Sequence, residues 1–183
     1  YFKDWLVACR ADGYCSATAY QNPNPGDGSV ADYILRVGRH AQQTWWEISF
    51  TPIAATADEW QDFTFSVDGT PETFRPRSEI GAYGAINDFY LLGDGAQALM
   101  DRLAPGHRID VEFTATDGTP RHAGFSLAGL TAALIWIDEQ QHRLGSERVA
   151  SMPPHGLTPA GAEQLSTPQV PVALLDRLAA DPE

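Results

Sequence analysis

Apolar side chains recur at every second position in at least four separate runs of this chain. Tyr33, Leu35 and Val37 share one face of the run Tyr33-Ile34-Leu35-Arg36-Val37, and Trp46, Ile48 and Phe50, then Phe63, Phe65 and Val67, then Ile109, Val111 and Phe113 alternate with polar neighbours. A repeat of two places one face of an extended segment against a core and the other toward water, so each run predicts a half-buried antiparallel strand. The runs are separated by turn-forming segments. Asn22-Pro23-Asn24-Pro25-Gly26-Asp27-Gly28 is a predicted loop, because its prolines cannot donate to a ladder and its glycines favour turns. Asp68-Gly69-Thr70-Pro71 and Asp117-Gly118-Thr119-Pro120 follow the third and fourth runs. They read as one turn solution used twice, since Asp-Gly accommodates positive backbone dihedrals.

Two helical patterns interrupt the strands. The first begins after Gly93 with Asp94 as its N-cap, carries Ala98, Leu99, Met100 and Leu103, and stops before Pro105-Gly106. The second is expected to start near Ser126, to carry Leu127, Leu130, Ala133, Leu134 and Ile137, and to end at Leu144-Gly145. Strands joined by turns, with no regular strand–helix alternation, predict a mainly β fold. The expected form is an antiparallel β-sandwich or barrel-like domain with two packed α-helices. This domain is placed at residues 1–150. A Pro/Gly-rich linker or arm follows at 151–171, then a short C-terminal helix at 172–183 whose apolar face needs the domain, a partner or further sequence to dock on.

Charge narrows the partners. Among 183 residues, 12 are basic and 24 acidic, a net charge of −12. Such a surface repels phosphate backbones and anionic headgroups, which excludes nucleic acid as the expected partner. No run of about 18 apolar residues occurs, so no membrane insertion by a spanning helix is expected. Only Lys3 is a lysine, and the other 11 basic residues are arginines, a bias that carries no chemistry. The chain opens at Tyr1 directly in strand-like sequence, which fits removal of a signal peptide.

Cys9 and Cys15 bracket Arg10-Ala11-Asp12-Gly13-Tyr14. A hairpin centred on Asp12, with Gly13 as its left-handed residue, sets the two cysteines opposite each other within disulfide reach. The alternatives fit less well. A redox pair usually has a two-residue spacer at a helix start, and a zinc site needs two more ligands. A structural disulfide implies an oxidising compartment, the periplasm or the exterior.

The remaining constellations are weak. Glu139 and His142 have the spacing of a di-iron helix, but no second Glu-x-x-His exists. His40, His107, His122 and His155 show no zinc spacing, and no Gly-x-Ser-x-Gly is present. Asp58-Glu59 and Asp138-Glu139 are expected chance neighbours among 24 acids, Gly93-Asp94-Gly95 lacks the lysine of a phosphate loop, and Asn22, Asn24 and Asp27 lack the closing Glu of a calcium loop. No catalytic residue, metal or cofactor is assigned. Two tryptophans are the candidate ligand-binding residues. The alternation that turns Trp46 inward leaves Trp45, with Glu47 and Ser49, on the opposite face, where an indole is a platform for a sugar or peptide. That face is equally open to cover by the arm or a second sheet. Trp60 lies in a loop-like segment and is the expected companion of Trp45.

Two stretches resemble known families. One is Phe2-Lys3-Asp4-Trp5-Leu6-Val7-Ala8-Cys9 followed by Cys15. The other runs from Ile86-Asn87-Asp88-Phe89-Tyr90-Leu91 through Asp94 to Leu103, Ile109 to Phe113, and the Gly129-Leu130-Thr131-Ala132-Ala133-Leu134 helix that ends in Gln140-Gln141. In order and spacing these are similar to the domain of unknown function 1176 family, and beyond it to the invasion-associated locus B family, over residues 2 to 150. The resemblance implies a secreted or periplasmic product of Gram-negative bacteria with a cleaved signal peptide, and attaches no enzymatic activity. Relatives often continue into a further cysteine-containing region, where this chain has its linker and short helix.

The expected function is therefore a non-catalytic periplasmic or secreted domain that binds a protein, peptide or glycan of the cell envelope or host. A cell-envelope hydrolase using a carboxylate pair is one alternative. A structural spacer or dimer subunit, built through the apolar face of 172–178, is another.

Overall fold

The computed structural model describes residues 1–21, 31–75, 80–83 and 87–143. Among these, ten strands and two helices follow in the order β1 (Leu6–Cys9), β2 (Tyr14–Gln21), β3 (Tyr33–His40), β4 (Glu47–Pro52), β5 (Phe63–Val67), β6 (Thr70–Phe74), β7 (Ile80–Tyr83), β8 (Asp88–Leu91), α1 (Gly93–Leu103), β9 (Arg108–Thr114), β10 (Pro120–Ser126) and α2 (Leu130–Gln140). They form two open antiparallel sheets, one of six strands in the order β1-β2-β3-β4-β8-β7 and one of four in the order β10-β9-β5-β6. The fold is thus mainly β and sandwich-like, and the barrel alternative falls because neither sheet closes on itself. The loop expected at 22–28, the arm at 151–171 and the helix at 172–178 lie outside the described residues.

The alternating runs become strands with the expected inward phase. Leu35 pairs with Ala19 on one side and Phe50 on the other, and Val37 with Ala17 and Ile48. Val111 pairs with Phe65 and Ala123. The two sheets interlock through rings from both. Phe50, fully buried, lies between Tyr33 at 6.1 Å, Phe63 at 6.3 Å, Phe113 at 5.5 Å and Phe125 at 6.4 Å, and Phe63 also meets Phe89 at 4.7 Å. Mostly edge-to-face contacts of this kind add to the area each ring removes from water.

The β1–β2 hairpin forms as expected. Gly13 has φ +85°, its N–H donates to the Arg10 carbonyl, and Arg10 N–H donates to the Tyr14 carbonyl. Cys9 then faces Cys15 at the adjacent non-hydrogen-bonded position, where side chains approach closest, and their sulfurs are bonded with Cα atoms 4.0 Å apart.

The two Asp-Gly-Thr-Pro segments do not share a turn. Asp68 and Gly69 both have positive φ, +48° and +80°, and join β5 to β6 with two residues. At Asp117-Gly118 only the glycine is left-handed, at +80°. Gly118 N–H donates to Ala115 O, Ala115 N–H to Thr119 O, and Thr119 N–H to Asp117 Oδ1 at 2.8 Å. This is the architecture of the Asp12-Gly13 turn, where Tyr14 N–H donates to Asp12 Oδ1 at 3.0 Å. The repeated solution belongs to Asp12-Gly13 and Asp117-Gly118. In both, the donated backbone N–H is the leading cause holding the aspartate below its ordinary pKa.

Helix ends depart from expectation for identifiable reasons. Leu92, in extended geometry, precedes α1, and Asp94 sits within its first turn, where its charge favours the helix N-terminus without capping it. α2 starts at Leu130 and not near Ser126, because Ser126 pairs with Arg108 in the β10–β9 ladder. Leu127 therefore precedes the helix. Gly129, at φ +94°, makes the corner, and a Cβ there would lie 2.1 Å from the Phe2 carbonyl oxygen. The helix ends before Gly145: His142 turns left-handed at φ +56° and donates its N–H to Glu139 O, while Arg143 N–H reaches back to Asp138 O. α2 packs on β1 and β2, and α1 on β4. Arg102 of α1 also donates to Glu72 of β6 at 2.7 Å.

Two outcomes follow from this packing. Phe50→Ala removes the ring shared by four others and is expected to cost about 3–5 kcal/mol, read as a lowered urea midpoint with the same slope. Reducing Cys9–Cys15 opens a short loop and is expected to cost about 2 kcal/mol, seen as a lowered melting temperature with dithiothreitol that a Cys9→Ala/Cys15→Ala variant reproduces without it.

Candidate functional site

Turning Leu35, Val37, Ile48 and Phe50 inward sends their neighbours to the outer face of the six-stranded sheet. Register places Thr18, Arg36, Ser49 and Tyr90 in one row across β2, β3, β4 and β8, and Ser16, Gly38 and Glu47 in the next. Ser49 is buried although it points outward, because it lies between the longer Arg36 and Tyr90. Small residues in the middle with large ones beside them make a trough. A groove of about 380 Å³ runs there, lined by Arg10, Tyr14, Arg36, His40, Glu47, Tyr90 and Leu92.

Tyr14 builds one wall. Its ring lies over Gly38, where a Cβ would come within 2.2 Å of the Tyr14 oxygen. The His40 ring meets it edge-on at 5.1 Å, and the Arg10 guanidinium stands 4.8 Å from its centroid. Its hydroxyl donates to Glu47 Oε1. Burial, then this donation to a carboxylate and the charge of Glu47, raise the phenol far above its ordinary pKa. Glu47 is thereby a fixed acceptor. Arg36 is half-buried and has no hydrogen-bond or ion-pair partner among the described residues; its charge acts on Tyr14, favouring the ionised phenol against the stronger opposing effects.

The connection at 41–46 starts at His40 and ends at Glu47, both in the groove wall. It is held from behind by a buried guanidinium. Arg39 stacks 4.1 Å from the Trp46 ring, donates to Asp138, and donates to Gln141 Oε1 at 3.0 Å. Gln141 Nε2 in turn donates to the carbonyls of Gly13 at 3.2 Å and Arg39 at 3.1 Å, and Arg143 donates to Gln43 O. Trp46 is therefore drawn inward, while Trp45 beside it is 49% exposed.

Trp45 thus stands on the connection that enters β4, outside the residues that line the groove, and not on the face of the strand itself. Trp60 is 70% exposed on the segment after β4, within a turn in which its N–H donates to Asp58 Oδ1 at 2.9 Å. That segment is tied to Thr114 of β9 and to Thr116 in the turn that follows it. The two indoles are carried at opposite ends of β4, a strand of about 20 Å, so the described contacts do not bring them together. Of the other weighed residues, Glu139 and His142 serve the helix end just described. His107 Nδ1 lies 3.5 Å from Asp68, and His122 Nε2 lies 2.9 Å from Asp110, which Arg108 also holds at 2.6 Å. Asn22, Asn24, Asp27 and His155 lie outside the described residues.

A second groove of about 440 Å³ lies at the four-stranded sheet and includes Asp62, Glu112, Arg121 and His122. Two carboxylates, Asp62 and Glu112, are thus among its lining residues. Asp62 is paired with Arg75 at 3.5 Å, and Arg121 with Asp117 at 3.6 Å.

The sequence reading missed Tyr14, Arg36, His40 and Tyr90. The signal was present for Arg36 and His40, which fall in antiphase to Leu35 and Val37, whereas Tyr14 comes opposite His40 only through the pairing of β2 with β3. Tyr90 depends on β8 adding to β4, which no local pattern announces.

Comparisons place this fold among known proteins. The family described as "Protein of unknown function (DUF1176)" matches residues 1–178, farther than the 2 to 150 over which the sequence resemblance runs. No curated protein matches the chain. Among solved structures, the crystal structure of invasion associated protein B from Bartonella henselae matches with a TM-score of 0.57 and 12% sequence identity, covering 76% of this chain and 94% of that one. At that identity the likeness is one of fold.

The Tyr14 wall is testable. Gly38→Ala forces the ring off its seat against Glu47 and the Cys15 carbonyl, 3.0 Å from the added atom, and is expected to cost about 1–3 kcal/mol. A denaturant melt of the variant in a Tyr14→Ala background is expected to show a smaller loss, because the ring it strikes is gone.

Proposed function

The chain belongs to the family described as protein of unknown function (DUF1176), and from that premise we propose that it works as a non-catalytic binding domain of the periplasm or cell exterior. The Cys9–Cys15 bond supports the compartment, because such a crosslink persists where thiols are not kept reduced. The fold shared with invasion associated protein B is compatible with it. No helix among the described residues is long and apolar enough to cross a membrane.

The observation that carries the binding reading is the outer-face groove. It joins two tyrosines, two arginines and a histidine with the exposed Leu92, and Trp45 stands on the connection between two of its walls. Its one carboxylate among the described residues, Glu47, already accepts the Tyr14 hydroxyl, so the described lining offers no pair of acids for hydrolysis. The partner is a protein, peptide or glycan of the cell envelope or host. The hydrolase alternative draws on Asp62 and Glu112, which share the second groove. The spacer or dimer reading depends on residues outside those described.

The test is capture from cell-envelope extract by the immobilised protein. One dominant partner retained by the wild type, lost with Trp45→Ala and kept with Trp60→Ala, is the expected outcome, with unchanged circular dichroism for both variants. Equal recovery by all three removes Trp45. Turnover of an envelope polymer that Asp62→Asn abolishes would replace binding with catalysis.

A further inference from the structure

We infer that the outer-face groove takes an acidic sugar, a uronate-bearing glycan of mono- to disaccharide reach, with its carboxylate on Arg36; this rests on the binding reading above and gives it a ligand class. Arg36 is the anomaly that points there. Six other described arginines face a carboxylate, among them Arg39 on Asp138, Arg102 on Glu72 and Arg108 on Asp110, and Arg143 donates to a carbonyl. In a chain with twice as many acidic as basic side chains, Arg36 alone among them has neither kind of partner. It is half-buried in a groove of about 380 Å³, within the range of small-ligand clefts.

The neighbours select the rest of the ligand. A guanidinium fork matches a carboxylate with two parallel hydrogen bonds. Glu47 sits in the next row and repels a second negative charge, which disfavours a phosphate or sulfate dianion. Its Oε1 is taken by Tyr14, which leaves Oε2 to accept from a ligand hydroxyl. His40 has ring nitrogens that make no hydrogen bond among the described residues, and Tyr90 and Leu92 offer flat and apolar surface to the C–H face of a sugar ring.

An extended peptide fits less well. The groove lies on the face of the sheet, where the backbones of β2, β3, β4 and β8 are engaged in their ladders. No strand edge is available there for augmentation, and Leu92 is the one aliphatic side chain among the described lining residues. Recognition must come from side chains alone, as it does for a polyhydroxylated ring with one charge.

Titration calorimetry on the intact chain tests this, with disaccharides of glucuronic and galacturonic acid, their neutral counterparts, and a glutamate-rich tetrapeptide as probes. The expected result is saturable binding of a uronate disaccharide and of neither the neutral sugar nor the peptide. Affinity should fall about tenfold or more in Arg36→Gln, partly recover in Arg36→Lys, and weaken with added salt. Circular dichroism of the variants is expected to match wild type, since Arg36 makes no hydrogen bond or ion pair among the described residues. Equal binding of neutral sugar, tighter binding of the peptide, no saturation by either uronate, or an Arg36→Gln variant that binds like wild type each overturns it. If the uronates fail while Trp45-dependent capture persists, the ligand class is wrong and the binding reading stands; if both fail, both fall.

Discussion

The placement of Phe50 between rings of both sheets is the constraint from which the outer surface follows. Side chains along a strand alternate with a period of two, so seating Phe50 against Phe63, Phe113 and Phe125 fixes the phase of β4. Through the ladder it also fixes β3 and β8. A slip of one residue would expose the ring and bury the row of Arg36, Ser49 and Tyr90. The groove is therefore a by-product of core packing. The sheet cannot hold its aromatic interlock without sending those side chains to the far face.

Much of this architecture was legible locally. Alternation at Tyr33, Leu35 and Val37, and at Phe63, Phe65 and Val67, reports burial on one side, and a short turn centred on Asp12 leaves a single sensible pairing for Cys9 and Cys15. What was not legible depended on distant partners. The start of α2 was misplaced because Ser126 belongs to the ladder with Arg108 and because Gly129 turns against Phe2, more than a hundred residues away. The Asp-Gly turns looked alike since dipeptides do not record which backbone group an aspartate accepts from. The groove draws on β2, β3, β4 and β8, and an outward Arg36 read in isolation is an ordinary solvated strand position. Its meaning appears only when every other described arginine is seen to have an anion or carbonyl beside it.

The residues that carry the family resemblance do structural work. Trp5 is fully buried and donates its indole N–H to Ser126 O at 3.1 Å. Gly129 lets the Phe2 carbonyl approach the α2 corner. Gln141 ties the helix end to Gly13 and Arg39. Together they clamp the N-terminal segment and hairpin onto α2. A sequence signature made of such positions identifies a scaffold, which is why the family match and the 0.57 TM-score to invasion associated protein B speak to fold while the groove has to be read on its own chemistry.

The four-stranded sheet has a proline on each of its outer strands, Pro71 opposite Ser66 on β6 and Pro120 opposite Thr114 on β10. A proline offers no amide proton to an incoming strand and its ring obstructs close approach. Each rim thereby lacks an amide donor near one end of its strand, which makes it a poorer template for the edge-wise addition of another chain.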